Sequence, residues 1–336
     1  MNKQESITYG GKLMSVSSSP HIKGETTSRG IMLDVIIALI PVLVFGAFVF
    51  GTRVITVTAV SVISCVLFEF LYEKVMKKPV TVGDFSAVVT GILLAFNLPA
   101  GIPFWIPVVG AFFAIVIVKQ LYGGIGKNIL NPALAARVFL ATCWPNEMTT
   151  YVKPGSALSF FSKPVPDMIA SATPLRHLKE GMLADESLLD LFIGNYAGVI
   201  GEVSTSLLVL GGVYLLVRKV ITWEIPVFYI GTVALITAVF PQNPLTLQFV
   251  LSELLSGGLI LAAVFMATDY ATAPVTFSGR MLYGIGCGLI TIFIRYFGGF
   301  AEGASYAILI MNLLVWYIDR LTKPVAFGTK NQKLNA

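Results

Sequence analysis

The stretch "IMLDVIIALIPVLVFGAFVFG", residues 31–51, carries a single charge, Asp34, in 21 positions. At 1.5 Å of rise per residue, a helix of that length reaches across the roughly 30 Å hydrocarbon core of a bilayer. No water is present there to satisfy backbone amides, so a spanning segment is either a helix or part of a closed barrel. Barrel strands alternate apolar and polar residues over about ten positions, and this run does not. The rest of the chain resembles it. Hydrophobic residues make up 56% of the 336, charged residues 12%, and mean hydropathy is +0.82, whereas soluble domains carry roughly 25% charge. The sequence reads as an integral membrane protein. The preceding "SSSPHIKGETTSRG" (17–30) is polar and has no small-residue cleavage site after a short apolar core, so a cleaved signal peptide is not expected.

Outward from this run, hydropathy places further spans near 54–72, 82–98, 104–122, 128–144, 198–217, 224–240, 247–268, 281–297 and 304–319, about ten helices in all. With both termini in the cytoplasm, the inner segments collect most of the Lys and Arg, including Lys74, Lys77, Lys78, Lys119, Lys127, Arg218, Lys219, Arg280 and Arg320. The short outer loops hold only Arg53 and Arg295. That asymmetry follows the positive-inside rule and puts the long polar segment outside. The expected division is a cytoplasmic tail (1–30), a first five-helix unit (31–144), an extracytoplasmic loop (145–197), a second five-helix unit (198–320) and a cytoplasmic tail (321–336). The basic residues sit at helix ends and form no stripe, so nucleic acid is not an expected partner.

The two units resemble each other. A shift of about 175 positions lays "LLAFNLPAGIP" near "AVFMATDYATAP", and Gly123-Gly124 falls on Gly298-Gly299. An odd number of helices per unit forces the second to run opposite to the first. Such inverted repeats place a binding site or conduit at the midplane, lined by interrupted helices. Asn97 with Pro99 and Pro103, and Asp269 with Pro274, are suitable polar breaks.

Several chemistries are excluded by what the chain lacks. Its three cysteines, Cys65, Cys143 and Cys287, show no CxxC spacing, so neither a protein-held iron-sulfur cluster nor a disulfide framework is expected. Two histidines, His21 and His177, lie outside the spans and leave no bis-histidine haem within the membrane. "GGIGKNIL" lacks the third glycine and preceding strand of a dinucleotide fingerprint, and no Walker sequence is present. No metal site and no catalytic residue of a self-contained enzyme are expected.

What the outer segment does offer is "DMIASATPL", Asp167 to Leu175, followed by Arg176, His177 and Lys179. It resembles the Asp-x-x-Ser/Thr-Gly/Ala-Ala-Thr-x-Leu flavinylation motif. Similar stretches extend over most of the chain: "SSPH" in the tail, "GGIGKNILNPALAARVFL" (123–140), "GNYAGVIGEVSTSLLVLGGVYLL" (194–216), "FMATDYATAPVT" (265–276) and "EGASYAILIMN" (302–312). Together they resemble the RnfD/NqrB family, whose members are the RnfD membrane component of the Rnf ferredoxin:NAD oxidoreductase and the NqrB component of the sodium-translocating NADH:quinone oxidoreductase. The length and short tail are closer to the former. Tyr270 departs from the family's expected proline.

The resemblance implies a membrane component of a redox-driven pump in a bacterial or archaeal cell membrane, incomplete as an enzyme alone. It would relay electrons between iron-sulfur partners while Na+ or H+ crosses. Its implied partners are the other Rnf subunits, ferredoxin and NAD bound by those subunits, and a flavin transferase. Its implied cofactors are FMN joined through its phosphate to Thr173, with Ser171, Arg176 and His177 nearby, and non-covalent riboflavin toward the cytoplasmic side. Arginine suits a phosphate. A bland alternative for Thr173 is an N-cap in an ordinary basic loop. For riboflavin the candidates are Asn128 and Asn131, whose amides both donate and accept, beside Gly124 and Gly126. The alternative is a helix start capped by Asn128. Ionisable groups in spans are costly and usually functional. Arg137 must find an acid or a phosphate, and Glu253 and Asp269, about four turns apart in one expected helix, are ion-coupling candidates. A competing class is a small-solute channel or secondary transporter of inverted-repeat type.

Overall fold

The computed structural model describes residues 6–9, 12–15, 27–162, 168, 173–182, 186–242, 247–300 and 302–324. The chain is mostly helical. The N-terminal tail holds a small antiparallel hairpin, β1 (Ser6–Tyr9) and β2 (Lys12–Ser15), in register from Ser6↔Ser15 to Tyr9↔Lys12. The Gly10-Gly11 dipeptide between them is a hairpin signal.

Among the described residues four helices are long and apolar enough to cross a membrane: α1 (Ser28–Phe50), α2 (Arg53–Val75), α13 (Phe277–Phe297) and α14 (Ala304–Thr322). The pair α11 (Leu247–Leu255) and α12 (Leu259–Met266), bent by 60° at its junction, passes as a fifth when taken together. Shorter apolar helices are α3 (Ser86–Phe96), α4 (Trp105–Gln120, its last eight residues π-helical), α5 (Pro132–Cys143), α9 (Thr205–Val217) and α10 (Glu224–Val239). Several expected spans are thus shortened, and caps are the cause. Ser86 donates both its backbone N–H and its hydroxyl to Asp84 at the head of α3. Asn131 accepts from the Ala133 and Leu134 N–H groups at the head of α5, and Ser204 from Leu207 at the head of α9. The run 247–268, expected as one helix, breaks at Ser256-Gly257-Gly258, where Gly257 takes φ 72.

In the first half α2 packs along α4, and in the second α10 packs along α13. Across the halves α1 meets α9 and α5 meets α14. Close approach is carried by small residues, as is usual between membrane helices: a Cβ on Gly91 would lie 2.6 Å from Val62 Cα. At the centre the chain abandons helix. After α3, Pro99 bridges Val199 and the Ile200 N–H donates to Leu98 O at 3.0 Å. Non-helical backbone at such depth is tolerated where protein or a cavity surrounds it.

The segment 145–197 carries α6 (Pro145–Thr149), α7 (Pro174–Lys179) and α8 (Leu188–Ile193). It is tied to the bundle at the α1–α2 turn. Gly51 has φ 98, and a Cβ there would fall 2.3 Å from the Leu158 N, so only glycine allows Leu158 to bond Phe50 O at 3.0 Å. Arg53, 2% exposed, donates to Ala100 O (3.1 Å), Ile102 O (2.8 Å) and Ser162 O, with its guanidinium over the Phe104 ring.

Candidate functional site

Two cavities lie between the halves. One, about 620 Å³ and called outer for the segment 145–197 that borders it, takes Thr173, Arg176 and Lys179 from α7, Arg137 from α5, Asn97 from the break after α3, and Glu202 and Glu302 from turns preceding α9 and α14. That volume lies within the usual range for small-molecule sites, about 300–1,000 Å³. Thr173 occupies the N-cap position of α7 in an extended conformation, φ −97 and ψ 158, but its side chain makes no capping bond. Pro174 holds the first turn, and the Thr173 carbonyl accepts from Arg176 N–H at 2.9 Å. The Thr173 hydroxyl therefore does not act as the cap of α7, unlike the N-cap alternative. Arg176 pairs with Glu180 at 3.2 Å in an exposed position. Lys179 donates to Gly298 O and, at 2.7 Å, to Phe300 O, fastening α7 to the α13–α14 turn. His177 follows on the same helix. Ser171 lies outside the described residues. In the motif's pattern it stands at the Gly/Ala place, with Ala170 at the Ser/Thr place.

The floor of this cavity is charged. Arg137 finds the carboxylate it needs in Glu302, and also donates to Ser305 Oγ. Glu302 Oε1 accepts the Gly258 N–H at 2.7 Å. Burial, then the neighbouring Glu302, pushes Glu202 up to about 8. Burial acts on Glu302 in the same sense, but the Arg137 beside it holds it below the ordinary carboxylate value. Glu253 is 2.7 Å from Arg295, a pair 2% exposed on each side.

The inner cavity is a slot of about 90 Å³ lined by Asn128, Asn131, Asp269, Lys119, Ser86 and Ile125 among others. Asn131, not Asn128, caps α5, and its Nδ2 donates to Met266 O at 3.2 Å. Asn128 Nδ2 donates to Leu130 O at 3.0 Å. The two asparagines do converge on one cavity, but not as one turn of a helix. Gly124 and Gly126 take φ 93 and 79 in the preceding turn, so their need for glycine is conformational. The polar groups suit a flavin's pyrimidine edge, and the slot's volume of about 90 Å³ lies below the usual range for small-molecule sites, about 300–1,000 Å³. Lys119, delivered by the π-helical end of α4, pairs with Glu69 at 2.6 Å and donates to Ser86 Oγ at 2.6 Å. Glu253 and Asp269, expected on one helix, are separated by the bend. The first belongs to the outer cluster and the second to the inner slot.

A helical membrane bundle with polar cavities at the ends of broken helices is the class these features define. A family model described as the NQR2, RnfD, RnfE family matches residues 15–328. The D-type component of the Na(+)-translocating ferredoxin:NAD(+) oxidoreductase complex of Acetobacterium woodii is 47% identical, covering 96% of this chain and 98% of that protein. Its counterpart in the proton-translocating ferredoxin:NAD(+) oxidoreductase complex of Clostridium ljungdahlii is 40% identical (95% and 97%). The counterpart in an ion-translocating oxidoreductase complex of Stutzerimonas stutzeri is 38% identical (89% and 91%). The chain belongs to the NQR2, RnfD, RnfE family.

Proposed function

We propose that the chain is the D-type membrane component of an ion-translocating ferredoxin:NAD+ oxidoreductase complex, carrying FMN covalently on Thr173. The observation that carries the cofactor reading is the uncapped Thr173 hydroxyl on the rim of a 620 Å³ cavity with a cationic wall. Bound there, FMN supplies electron-transfer chemistry. The chain's part would be to fix it: Thr173 Oγ1 would hold the phosphate, Arg176 would turn from its exposed pair with Glu180 to face it, and Tyr151, Tyr306 and Phe300 of the same cavity would shield the bound group from water. A tethered carrier is not lost and keeps its distances to neighbouring subunits.

The ten apolar segments are read as spans in two inverted five-helix repeats. Two features support this. The α2–α4 packing recurs as α10–α13, and equivalent elements meet across the halves, α1 with α9, α5 with α14, and the break at Asn97 with Met266 at 3.7 Å. The charge asymmetry favours cytoplasmic termini and an outer flavin-bearing segment. Na+ and H+ both remain as the translocated ion, because the names of the relatives divide between them. Asp269 is the better of the two ion-coupling candidates, since Glu253 is already neutralised by Arg295. Riboflavin at Asn128 and Asn131 requires the inner slot to widen, and no step is assigned to it.

The test is ultraviolet fluorescence of the denatured band, native against Thr173→Val, co-expressed with a flavin transferase. A fluorescent band lost in the variant supports the reading. A dark band in both favours the channel or transporter class. Acid precipitation of the same preparation should release riboflavin to the supernatant, and a flavin-free supernatant removes the second cofactor.

A further inference from the structure

Below Thr173 the outer cavity ends on two carboxylates and one available guanidinium. Arg137 is committed to Glu302 and Ser305. Among the described residues Glu202 makes no ion pair, and Arg137 and Arg295, which act on it at longer range, are paired with other acids. Glu202 Oε2 accepts the Val199 N–H at a long 3.4 Å, its Oε1 has no hydrogen-bond partner among the described residues, and the residue is 7% exposed while lining the cavity. A Cβ placed on Gly258 would lie 2.4 Å from Glu302 Oε1 and 3.6 Å from Glu202 Oε1, so both carboxyl groups face the Gly258 backbone. The other charges nearby are already matched: Arg295 on α13 with Glu253 on α11, Arg176 with Glu180, and Lys179 with two carbonyls. Tyr151, Tyr196 and Tyr306 add no charge, and Glu186, behind Tyr196, adds a further acid. Two acids facing one guanidinium in a low-dielectric site do not both ionise readily.

We propose that Glu202 and Glu302 share one exchangeable proton, forming a proton-loading site in the floor of the cavity onto which Thr173 opens. This deepens the flavin reading of that cavity and rests on it for its purpose. With the proton on Glu202, Arg137 balances Glu302 and the floor is neutral. When the proton leaves to water in the cavity, the floor carries one net negative charge, and no bond between heavy atoms changes. A negative charge arriving in the cavity raises the affinity of Glu202 for its proton, so one electron and one proton are favoured together. The upward displacement of Glu202 by burial and by Glu302 agrees with this arrangement.

Infrared difference spectroscopy on the assembled complex carrying Thr173→Val reads the site without covalent flavin. From about pH 6 to about pH 10, a protonated-carboxyl band should titrate away as one proton near the Glu202 value, about 8. Adding Glu202→Gln should abolish it. Adding Glu302→Gln should instead free Arg137 for Glu202 and move the titration to lower pH. No such band in the Thr173→Val complex overturns the proposal, as does a band unchanged in either Gln variant. Should Glu202→Gln fail to assemble, the parent spectrum and Glu302→Gln still decide. Failure of the flavin reading is seen separately, as absent gel fluorescence in the native chain, and leaves this infrared result standing.

Discussion

At the scale of single residues, the site is built from side chains whose partners are distant in sequence, and this limits what local reading reveals. Arg137 announces itself, since a guanidinium inside an apolar run needs an anion, yet its partner Glu302 is 165 positions away. Nothing in "AEGASY" marks that glutamate as the one Arg137 reaches. Glu202 is legible as a costly charge beside a span but not as one that makes no ion pair among the described residues. Removing one member of a buried pair costs about 3–5 kcal/mol, because the other charge stays buried and unpaired. Arg137→Ala is therefore expected to lower the melting temperature in detergent, with each 1 kcal/mol worth about 2–4 °C. Arg137→Met with Glu302→Gln should recover most of the loss. A double variant no more stable than Arg137→Ala would show that packing, not charge, makes residue 137 important.

At the scale of elements, hydropathy located the apolar segments because lipid-facing helices must be continuously apolar, and it overran their ends because caps and breaks are short-range polar events. The run 247–268 has no proline, and its Gly257-Gly258 pair is an ordinary feature of membrane helices. The 60° bend is fixed by tertiary contact, the Gly258 N–H bonding Glu302 rather than a helical carbonyl. α7 depends on tertiary contact in the same way. Six residues are too few for a stable isolated helix, so α7 is held by burial of Leu175 and Leu178 with Phe249 and by the Lys179 bonds to the α13–α14 turn. Lys179→Met keeps the apolar stem and removes those bonds. The expected outcome is faster limited proteolysis within 163–186, by several-fold, with the bundle helices still protected. An unchanged cleavage rate would assign the docking of α7 to its leucines alone.

At the scale of the whole molecule, the helices of 31–144 and 198–320 enclose an outer cavity that is roomy and carries two acids at its floor and an inner slot that is small and mixed in charge. Motif resemblance reached the family, whereas the cavity joining Thr173 to Arg137, Glu202 and Glu302 depends on how distant segments meet, which no single segment encodes. That cavity also makes stability depend on pH. Glu202 has its folded value raised from 4.5 to about 8 by burial and by Glu302. A raised carboxyl favours the folded state fully below its unfolded value. That contribution is lost as pH rises through the folded value, since the unfolded chain releases its proton first. Glu302 is displaced the other way, so its contribution is lost only as pH falls below the ordinary carboxylate value, 4.5. Between about pH 6 and pH 9 the Glu202 effect acts without opposition from Glu302, and the melting temperature of the purified complex should fall by several degrees. Glu202→Gln cannot ionise and should flatten that slope while leaving the low-pH stability close to native. An equal slope in the variant would place the pH sensitivity elsewhere in the complex and leave Glu202 ionised in the folded protein.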